Sequence, residues 1–384
     1  MSIAVEHAIT EDAIHRALSK VQDPEIHRPI TELDMVKQVN VAADGTVQVA
    51  IFLTVAGCPM KDRLTNDIKR EVGTIAGVTA VEVELDVMSA EQRETLKTKL
   101  RGGQVDREIP FAQAGSLTRV YAIASGKGGV GKSSVTVNLA AALAAKGLKV
   151  GVVDADIYGH SIPRMLGVTE PPTPIDDMIL APTAPSGVKV ISIGMFTPGN
   201  SPVVWRGPML HRAIQQFLAD VYWGDLDVLL LDLPPGTGDI AISVAQLVPN
   251  AEILVVTTPQ QAAAEVAERA GTIAVQTRQR ITGVIENMSW MPCPHCGEQV
   301  DVFGSGGGQT VAEALSRATG TTVPVLGQIP IDVRLREGGD SGEPITATDP
   351  ESPAAKVLLG IADKIATRSR GLVGMSLSVS PVRK

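Results

Sequence analysis

The chain has 384 residues, 44% of them hydrophobic and 20% charged, and carries a formal net charge of −8. This length predicts two or three domains with sizeable cores, and the negative charge disfavours a general nucleic-acid binder. There is no run of about 18 apolar residues that could span a membrane and no signal-peptide pattern in residues 1–10. Three cysteines make no disulfide framework and suggest a reducing compartment. From the charge, the apolar runs and the cysteines together, we expect a cytoplasmic protein that binds neither nucleic acid nor a membrane.

The first part of the chain predicts a small α+β domain over residues 1–90. Asp44 and Gly45, between two stretches of alternating hydrophobicity, are a strong hairpin signal. The predicted elements, in the order α-β-β-α-β, are a helix capped by Thr10 and running to about Val21, strands over residues 36–41 and 47–55, a helix opened by Cys58-Pro59, and a strand over residues 78–87. Cys58 has two interpretations: a small buried side chain, or a nucleophilic or metal-binding thiol at a helix N-terminus.

A second domain is predicted over residues 118–370, after a linker at 91–117 that contains a charged helix at 91–100. Apolar strand-like runs alternate here with helical segments such as 209–223 and 261–276. The runs are residues 120–124, 150–153, 188–193, 228–231, 253–257, 281–285 and 323–329. Because unbroken apolar strands are buried on both faces, they predict a doubly wound, mainly parallel α/β sheet. The tail, residues 371–384, is predicted to be mobile.

One stretch between the first strand of this sheet and an alanine-rich helix predicts a phosphate-binding loop. It reads Ser125, Gly126, Lys127, Gly128, Gly129, Val130, Gly131, Lys132, Ser133 and Ser134. Strand, glycine loop and helix are the context of a P-loop, in which backbone N–H groups and the helix N-terminus surround phosphate oxygens. Lys132 can reach the terminal phosphates, and Ser133 can ligate Mg²⁺. The alternative is a glycine-rich turn without a ligand.

Two further strands of the sheet lead into carboxylates. Asp154 and Asp156 follow one strand, and Asp232 ends a run of apolar residues, the Walker B pattern that holds the water shell of Mg²⁺. In an open parallel sheet ligands lie at the carboxyl ends of the strands, so these carboxylates can reach bound phosphates. The glycines after Asp232 can re-aim backbone N–H groups as a switch. For Asp154 and Asp156 the alternative role is capping of a helix N-terminus.

Cys293 and Cys296 form a second candidate site. Two thiolates three residues apart on a tight turn can bind one tetrahedral metal from the same side. One chain offers two ligands, and a two-fold dimer would supply four, which suits zinc or a [4Fe–4S] cluster. His295 is expected to point away from the metal. The alternatives are half of a structural zinc knuckle and a redox-active pair, the latter disfavoured because the motif does not open a helix directly after a first strand.

The phosphate loop contains an extra lysine, Lys127, just after its first glycine. In this it resembles the loop of the deviant P-loop ATPases, which include MinD, ParA, the arsenical and tail-anchored-protein ATPases and the nitrogenase iron protein. The resemblance implies an ATP-dependent homodimer in which Lys127 contacts phosphates bound by the partner; a solvated lysine is the alternative. It also implies that Asp156 orients the attacking water and that Asp154 supports Mg²⁺. By the same resemblance Asn287 recognises adenine and Pro330 packs on the base. No guanine-reading Asn-Lys-x-Asp motif occurs, which also favours ATP.

Further segments resemble the Mrp/ApbC family of ATP-binding iron–sulfur cluster carriers over nearly the whole chain. They are the segments that begin at Asp154, Trp205, Asp232 and Glu286, the Cys293/Cys296 pair, and residues 23–25 and 54–59 of the small domain, a type of domain that also occurs in iron–sulfur assembly factors. The resemblance implies ATP, Mg²⁺ and a labile cluster at a homodimer interface, slow hydrolysis, and delivery to apo iron–sulfur proteins. His160, where many relatives have proline, departs from the pattern and leaves these roles intact.

Two other functions compete with the carrier. A positioning ATPase of the MinD or ParA type would need a membrane-active or DNA-binding C-terminal element, for which the amphipathic helix at 354–366, followed by Arg368 and Arg370, is the candidate. Terminal helices of α/β domains usually pack on the sheet, and this function leaves the cysteines unused. The other competitor is a zinc-bridged ATPase dimer without a cluster.

Overall fold

The structure is a computed structural model, and it describes residues 9–54, 60–100, 108–113, 115–156, 159–176, 178–196, 207–236, 239–260 and 274–366. The chain forms two compact units. The small unit comprises Met1–Arg107 and Pro172–Ala181, and the large unit comprises Glu108–Pro171 and Pro182–Lys384.

The small unit has the predicted order of elements. They are α1 (Glu11–Leu18), β1 (Val36–Val41), β2 (Thr46–Leu53), α2 (Lys61–Gly73), β3 (Ala80–Val87) and α3 (Ala90–Leu100). β1 and β2 are antiparallel on either side of the turn at Asp44 and Gly45, whereas β2 and β3 are parallel. Thr10 caps α1 as predicted, because its hydroxyl accepts the Ala13 N–H at 3.2 Å. Cys58 lies outside the described residues.

Two local features of this unit differ from the sequence-based expectation. α1 ends at Leu18, before Val21, because the N–H groups of Lys20 and Val21 donate to carbonyls only three residues back. α3, predicted as part of a linker, packs on the small unit instead. Leu96 is 2% exposed, and Lys99 Nζ lies 2.6 Å from Asp34. One apolar side chain on a charged helix gives no periodic signal, so the sequence did not reveal this packing.

The large unit and the short segment Pro172–Ala181 contain the remaining elements. The strands are β4 (Arg119–Ser125), β5 (Val150–Asp154), β6 (Thr173–Ile175), β7 (Met178–Leu180), β8 (Lys189–Ser192), β9 (Val221–Tyr222), β10 (Val228–Asp232), β11 (Glu252–Thr257), β12 (Ile281–Asn287), β13 (Met291–Pro292), β14 (Gln299–Val300) and β15 (Val325–Ile329). The helices are α4 (Lys132–Ala145), α5 (Ile162–Met165), α6 (Gly207–Ala219), α7 (Asp239–Leu247), α8 (Gly307–Thr319), α9 (Val333–Ser341), α10 (Ile345–Thr348) and α11 (Pro353–Ala366).

A parallel sheet of seven strands forms the centre of the large unit, which confirms the predicted doubly wound α/β fold. The strand order is β15-β12-β11-β4-β10-β5-β8, so the strand before the glycine loop is the central one. Successive residues of β11 enter different apolar clusters: Leu254 packs in one, and Ile253 and Val255 pack in the other. Because neighbouring strand residues point to opposite faces, the sheet is covered on both sides.

The register of the sheet brings the predicted site residues to one edge. Asp232 at the end of β10 is paired with Asp154 at the end of β5, and Asp154 is paired with Ser192 at the end of β8. On the other side of β4, Asn287 ends β12 opposite Ile329 of β15. Carboxyl ends of parallel strands are where open α/β sheets bind their ligands.

The segment Pro172–Ala181 leaves the large unit and joins the small one as the antiparallel hairpin β6–β7. Thr173 Oγ1 donates to Glu25 Oε1 at 3.1 Å. Asp23, two residues earlier, is 6% exposed and accepts the Glu25 and Ile26 N–H groups, and burial raises the pKa of its carboxyl group. Residues 23–25 therefore form a turn, and Glu25 in this turn accepts a hydrogen bond from Thr173 of the hairpin.

Two predicted helices have different bounds in the structure. The segment predicted as a helix over residues 209–223 divides into α6, which ends at Ala219, and the short strand β9. Most of the helix predicted at 261–276, and the tail at 371–384, lie outside the described residues.

α11 packs its apolar face on the core of the large unit. Leu358 and Ile361 are fully buried in the cluster that includes strand residues of the central sheet. The Arg119 side chain donates to the carbonyls of Ile365 and Ala366 at the end of the helix. Among the described residues no helix has the length and apolar character to cross a membrane. α11 is therefore a core helix, as terminal helices of this fold usually are.

We predict that Leu358→Ala lowers the free energy of unfolding of the large unit by about 2–5 kcal/mol, because it leaves a cavity in the core. Lys356→Ala, on the exposed face of the same helix, should change it by less than about 0.5 kcal/mol. Urea denaturation measures both variants. Equal small effects would show that α11 does not pack on the sheet in solution.

Candidate functional site

The phosphate loop connects β4 to α4 through glycines in left-handed conformations. Gly129 and Gly131 have φ angles of 79° and 81°, which side chains rarely adopt. Gly131 occupies the N-cap position of α4, so the loop leads directly into the helix N-terminus. The Gly236 N–H donates to the Ser125 carbonyl at 2.8 Å, which ties the start of the loop to the segment after β10. Residues 237 and 238 of that segment lie outside the described residues.

Lys132 and Asp232 are buried next to each other at the centre of the site. Lys132 is 6% exposed and Asp232 is fully buried. The ammonium nitrogen lies 2.7 Å from Asp232 Oδ2, yet within the described part of the chain no acceptor is aligned with it for a hydrogen bond. A buried ammonium group whose hydrogen-bonding capacity is unused is suited to receive phosphate oxygens. The structure thus brings the predicted phosphate ligand and the predicted Walker B carboxylate together.

Two hydroxyl groups on α4 hold the Asp232 carboxylate. Ser133 Oγ donates to Asp232 Oδ2 at 2.7 Å, and Thr136 Oγ1 donates to Asp232 Oδ1 at 2.6 Å. Thr136 is fully buried and was not singled out from the sequence. Its signal was a polar residue three positions after Ser133, on a helix otherwise rich in Val, Leu and Ala. Ser133 and Asp232 are placed where they could share one Mg²⁺ ion and its water shell.

Asp154 is a second buried carboxyl group beside Asp232. It accepts hydrogen bonds from the Asp156 and Ile162 N–H groups and from Ser192 Oγ, the last at 3.1 Å. Burial, and secondarily the neighbouring Asp232 carboxylate, raise the pKa of Asp154 to about 8. A nearby divalent cation would reverse this effect, because it favours the ionised form. Ser192, which the sequence analysis did not identify, fixes the orientation of this group.

Asp156 shapes its own turn in the structure. Its backbone N–H donates to Asp154 Oδ1 at 3.2 Å, and its Oδ1 accepts the Gly159 N–H at 3.2 Å. Like a capping residue, Asp156 accepts a nearby backbone N–H, but this N–H belongs to its own loop. The predicted role of Asp156 in orienting water stays a prediction, and residues 157 and 158 lie outside the described residues.

Lys127 has a partner within its own chain. Its Nζ donates to Gln260 Oε1, three residues beyond the end of β11. This contact shows that the side chain can be held at the edge of the site. The predicted contact with phosphates of a partner chain stays a prediction.

Asn287 and Pro330 lie at the ends of β12 and β15. Asn287 is 2% exposed, and its Nδ2 donates to the Val130 carbonyl of the phosphate loop at 2.9 Å. Its Oδ1 finds no partner in the residues that the structure describes. Pro330 is buried directly after β15. The structure places Asn287 in contact with the loop. Adenine recognition stays a prediction for Asn287 and Pro330.

The cysteines lie at the tip of a short arm, residues 288–306, that follows β12. β13 and β14 form its antiparallel hairpin. At the tip, the Cys293 N–H donates to the Glu298 carbonyl, and the Gly297 N–H donates back to the Cys293 carbonyl at 2.9 Å. Hydrogen bonds from the Cys296 and His295 N–H groups, and from the Cys296 side chain, lower the pKa of the Cys293 thiol. Such a turn favours the thiolate, which is the form that binds metal.

One chain supplies only part of a metal site. Both cysteines are free thiols, Cys296 is exposed and Cys293 is half-buried. Among the described residues no group of three or more His, Cys, Asp or Glu side chains could hold a metal ion. Three apolar side chains of the same arm, Val300, Val302 and Phe303, are 40–48% exposed. The same arm thus carries a pair of thiols and three exposed apolar side chains.

Comparison with known families explains this combination of a phosphate loop and a cysteine arm. A family model described as NUBPL iron-transfer P-loop NTPase matches residues 116–366. The chain belongs to this family. A second model, described as iron–sulfur cluster assembly protein, matches residues 11–85 in the small unit. Both matches confirm the resemblance seen in the sequence.

Curated relatives extend over nearly the full chain. A protein of Mycobacterium tuberculosis named iron–sulfur cluster carrier protein is 65% identical over 97% of both chains. A Synechocystis protein of the same name is 40% identical over 93% of this chain and 97% of its own length. Among solved structures, a nucleotide-binding protein of Archaeoglobus fulgidus in complex with ADP is 35% identical, with a TM-score of 0.54 over 65% of this chain and 96% of that one. The likeness to that structure covers the length of a P-loop NTPase unit.

The raised pKa of Asp154 gives a pH-dependent stability. Between its usual value of 3.8 and about 8, the folded protein keeps a proton that the unfolded chain has lost. The stabilising contribution of Asp154 is therefore complete below about pH 4, falls as the pH rises, and levels off above about pH 8. Asp154→Asn, which does not titrate, should gain stability relative to wild type by up to about 1.4 kcal/mol per pH unit across this window.

Thermal unfolding from pH 5 to pH 9, without Mg²⁺ or nucleotide, measures this difference. Asp301→Asn, which removes an exposed carboxylate of the same unit, is the matched control. A difference between Asp154→Asn and wild type that stays constant with pH would contradict the burial argument.

Proposed function

We propose that this protein is an ATP-binding iron–sulfur cluster carrier. Two copies hold one labile [4Fe–4S] cluster between their Cys293/Cys296 pairs and deliver it to apo iron–sulfur proteins. The observation that carries the proposal is the turn at Cys293, where backbone N–H groups favour a thiolate on an exposed arm. The curated relatives, named as cluster carriers, support the same function.

The number of ligands supports a homodimer. A [4Fe–4S] cluster takes four thiolates, and this arm offers two. A two-fold axis through the cluster supplies the other pair without any further residue type. The exposed Val300, Val302 and Phe303 on the same arm support this arrangement, because an interface between two copies would cover exposed apolar side chains. Two thiolates from each copy also make the cluster easy to release, since separating the copies removes half of its ligands.

The nucleotide is proposed to be ATP with Mg²⁺. Lys132 would bind the β- and γ-phosphates, because its buried ammonium group has unused hydrogen-bonding capacity. Ser133 and Asp232 would hold Mg²⁺ and its water shell, with Asp154 in support. Bound Mg²⁺ neutralises charge on the phosphates. The Lys132–Asp232 contact would then be replaced by a phosphate contact on one side and a Mg²⁺ contact on the other.

Hydrolysis is proposed to be slow in the protein alone. Asp156, the proposed water-orienting residue, is engaged in hydrogen bonds of its own turn, and Lys127 is held by Gln260. Both groups would have to change partners before the transition state is stabilised. Formation of the dimer or binding of a recipient protein would supply that change. Cluster assembly factors and recipients are therefore the partners that we expect to accelerate turnover.

A zinc-bridged dimer is the second candidate, and the same cysteine geometry favours it. The positioning ATPase has no comparable support, because the apolar face of α11 is buried in the core.

Substitution of the two lysines separates their proposed roles. Lys132→Ala removes a charge-assisted phosphate contact, so nucleotide affinity should fall by about 10- to 150-fold, and hydrolysis should fall with it. Lys127→Ala should leave affinity nearly unchanged and lower hydrolysis by about tenfold or more, because its contact is with the partner's phosphates. Calorimetric titration and a steady-state ATPase assay measure the two quantities.

Gln260→Ala is the control for the lysine experiment. It removes the partner of Lys127 within the chain and should not reduce hydrolysis. If Lys127→Ala and Lys132→Ala lose affinity equally, Lys127 acts in its own subunit and the role across the dimer is wrong.

The cysteines can be tested by cluster content. Cys293→Ala or Cys296→Ala should abolish iron and acid-labile sulfide binding after anaerobic reconstitution, because a dimer of either variant has only two thiolates. His295→Ala, in the same turn, should retain full content, since it keeps the backbone N–H that donates to Cys293. Nucleotide affinity should be the same in all three variants.

The measurements are the iron and acid-labile sulfide content per dimer and the Mössbauer spectra of the wild type and the variants. Full cluster content in either cysteine variant would place the site elsewhere, and loss only in Cys58→Ala would move it to the small unit. Stoichiometric zinc without a cluster in the wild type would establish the second candidate.

A further inference from the structure

The Asn287 side chain donates a hydrogen bond to a backbone carbonyl of the phosphate loop. In a phosphate loop the backbone N–H groups turn inward, so carbonyl groups turn outward and need donors of their own. Val130 is 2% exposed, and its carbonyl accepts a 2.9 Å hydrogen bond from Asn287 Nδ2. Since a carbonyl can only accept, this contact also fixes which end of the Asn287 amide is the NH₂ group.

The loop and this amide fit each other closely. A Cβ atom on Gly131 would lie 2.2 Å from Asn287 Nδ2. Gly131 also has a φ of 81°, so two independent constraints require glycine there. The amide occupies the space that a side chain on the loop would fill, and the loop cannot move towards β12 without displacing it.

The other end of the same amide is uncommitted. Asn287 Oδ1 is buried and has no hydrogen-bond partner among the described residues, a costly arrangement unless another donor approaches. The exocyclic amino group of adenine is a donor of the required kind. The backbone on either side is constrained, because Asn287 ends β12 in register with Ile329 and the Ser289 N–H donates to the Ile329 carbonyl.

We propose that Asn287 is a positioning residue of the phosphate loop, so that one amide supports both phosphate binding and base recognition. Its NH₂ group holds the Val130 carbonyl outward and thereby keeps the loop N–H groups directed at the phosphates. This inference rests on the proposed nucleotide binding. It adds that loss of Asn287 weakens ligands that contain no base.

The test compares the affinity for inorganic tripolyphosphate with Mg²⁺, which contains no base, with the affinity for Mg-ADP, which contains adenine. Asn287→Ala should weaken both by about tenfold or more, since it leaves a buried carbonyl unpaired and the loop unsupported. Asn287→Leu, which fills the space without a donor, should do the same and serves if the alanine variant unfolds. Ser289→Ala is the matched control, because Ser289 is a buried polar residue of the same strand end that donates to the Glu286 carbonyl and not to the loop.

Hydrogen–deuterium exchange gives a local readout. Without ligand, the amides of residues 126–133 should exchange faster in Asn287→Ala than in wild type or Ser289→Ala. Loss of ADP affinity with tripolyphosphate affinity and loop exchange unchanged would show that Asn287 reads only the base, which overturns this inference and leaves the proposed function intact. Failure of the wild type to bind either ligand would overturn both.

Discussion

A carboxylate buried at the carboxyl end of β10, next to the central strand, is the constraint on which this site depends. Asp232 is fully buried, and an isolated charge there would be very costly. The protein offsets that cost with the Lys132 ammonium group and the hydroxyls of Ser133 and Thr136. All three belong to the first turns of α4, so the carboxylate also determines how that helix sits on β10. Fold and site therefore share the same contacts.

The charged groups of the site explain why Lys132 could exchange Asp232 for a phosphate. Burial and the neighbouring Asp232 carboxylate raise the pKa of Asp154 to about 8, and Lys132 Nζ lies 2.7 Å from Asp232 Oδ2. Phosphates can take over Lys132 only if a cation takes over Asp232, which makes Mg²⁺ and nucleotide binding interdependent in the proposed function. Thr136, which contacts the opposite carboxylate oxygen, can stay in place throughout.

The cysteine arm is attached to the end of β12, next to Asn287, which contacts the phosphate loop. It begins immediately after Asn287 and ends at α8, whose Gly308 N–H donates to Glu286 Oε2. Glu286 Oε1 accepts from Gln328 Nε2 at 2.9 Å, so this buried carboxyl group joins both ends of the arm to β15. Both ends are thus fixed at the end of β12, and the thiols lie at the far tip.

The sequence predicted most of the features that depend on local pattern. Strand, glycine loop and helix are consecutive, and Asp154, Asp232 and the cysteine pair each follow a short apolar strand or turn. The roles of Thr136 and Ser192 and the contacts of Glu286 were missed, because they depend on partners that are distant in sequence or on a neighbouring strand. The packing of α3 was missed for a similar reason, since one buried leucine has no period. Asp156 accepts the Gly159 N–H of its own loop, because short loops satisfy their own N–H groups with the nearest carboxylate.

The central claim is that Lys132 exchanges Asp232 for phosphate while α4 keeps its hold on the carboxylate. A crystal structure with Mg²⁺ and a non-hydrolysable ATP analogue tests this directly. The account predicts that Lys132 Nζ leaves Asp232 Oδ2 and contacts β- and γ-phosphate oxygens, while Thr136 Oγ1 remains hydrogen-bonded to Asp232 Oδ1. A complex in which Lys132 stays on Asp232, with the phosphates bound by other groups, would contradict it.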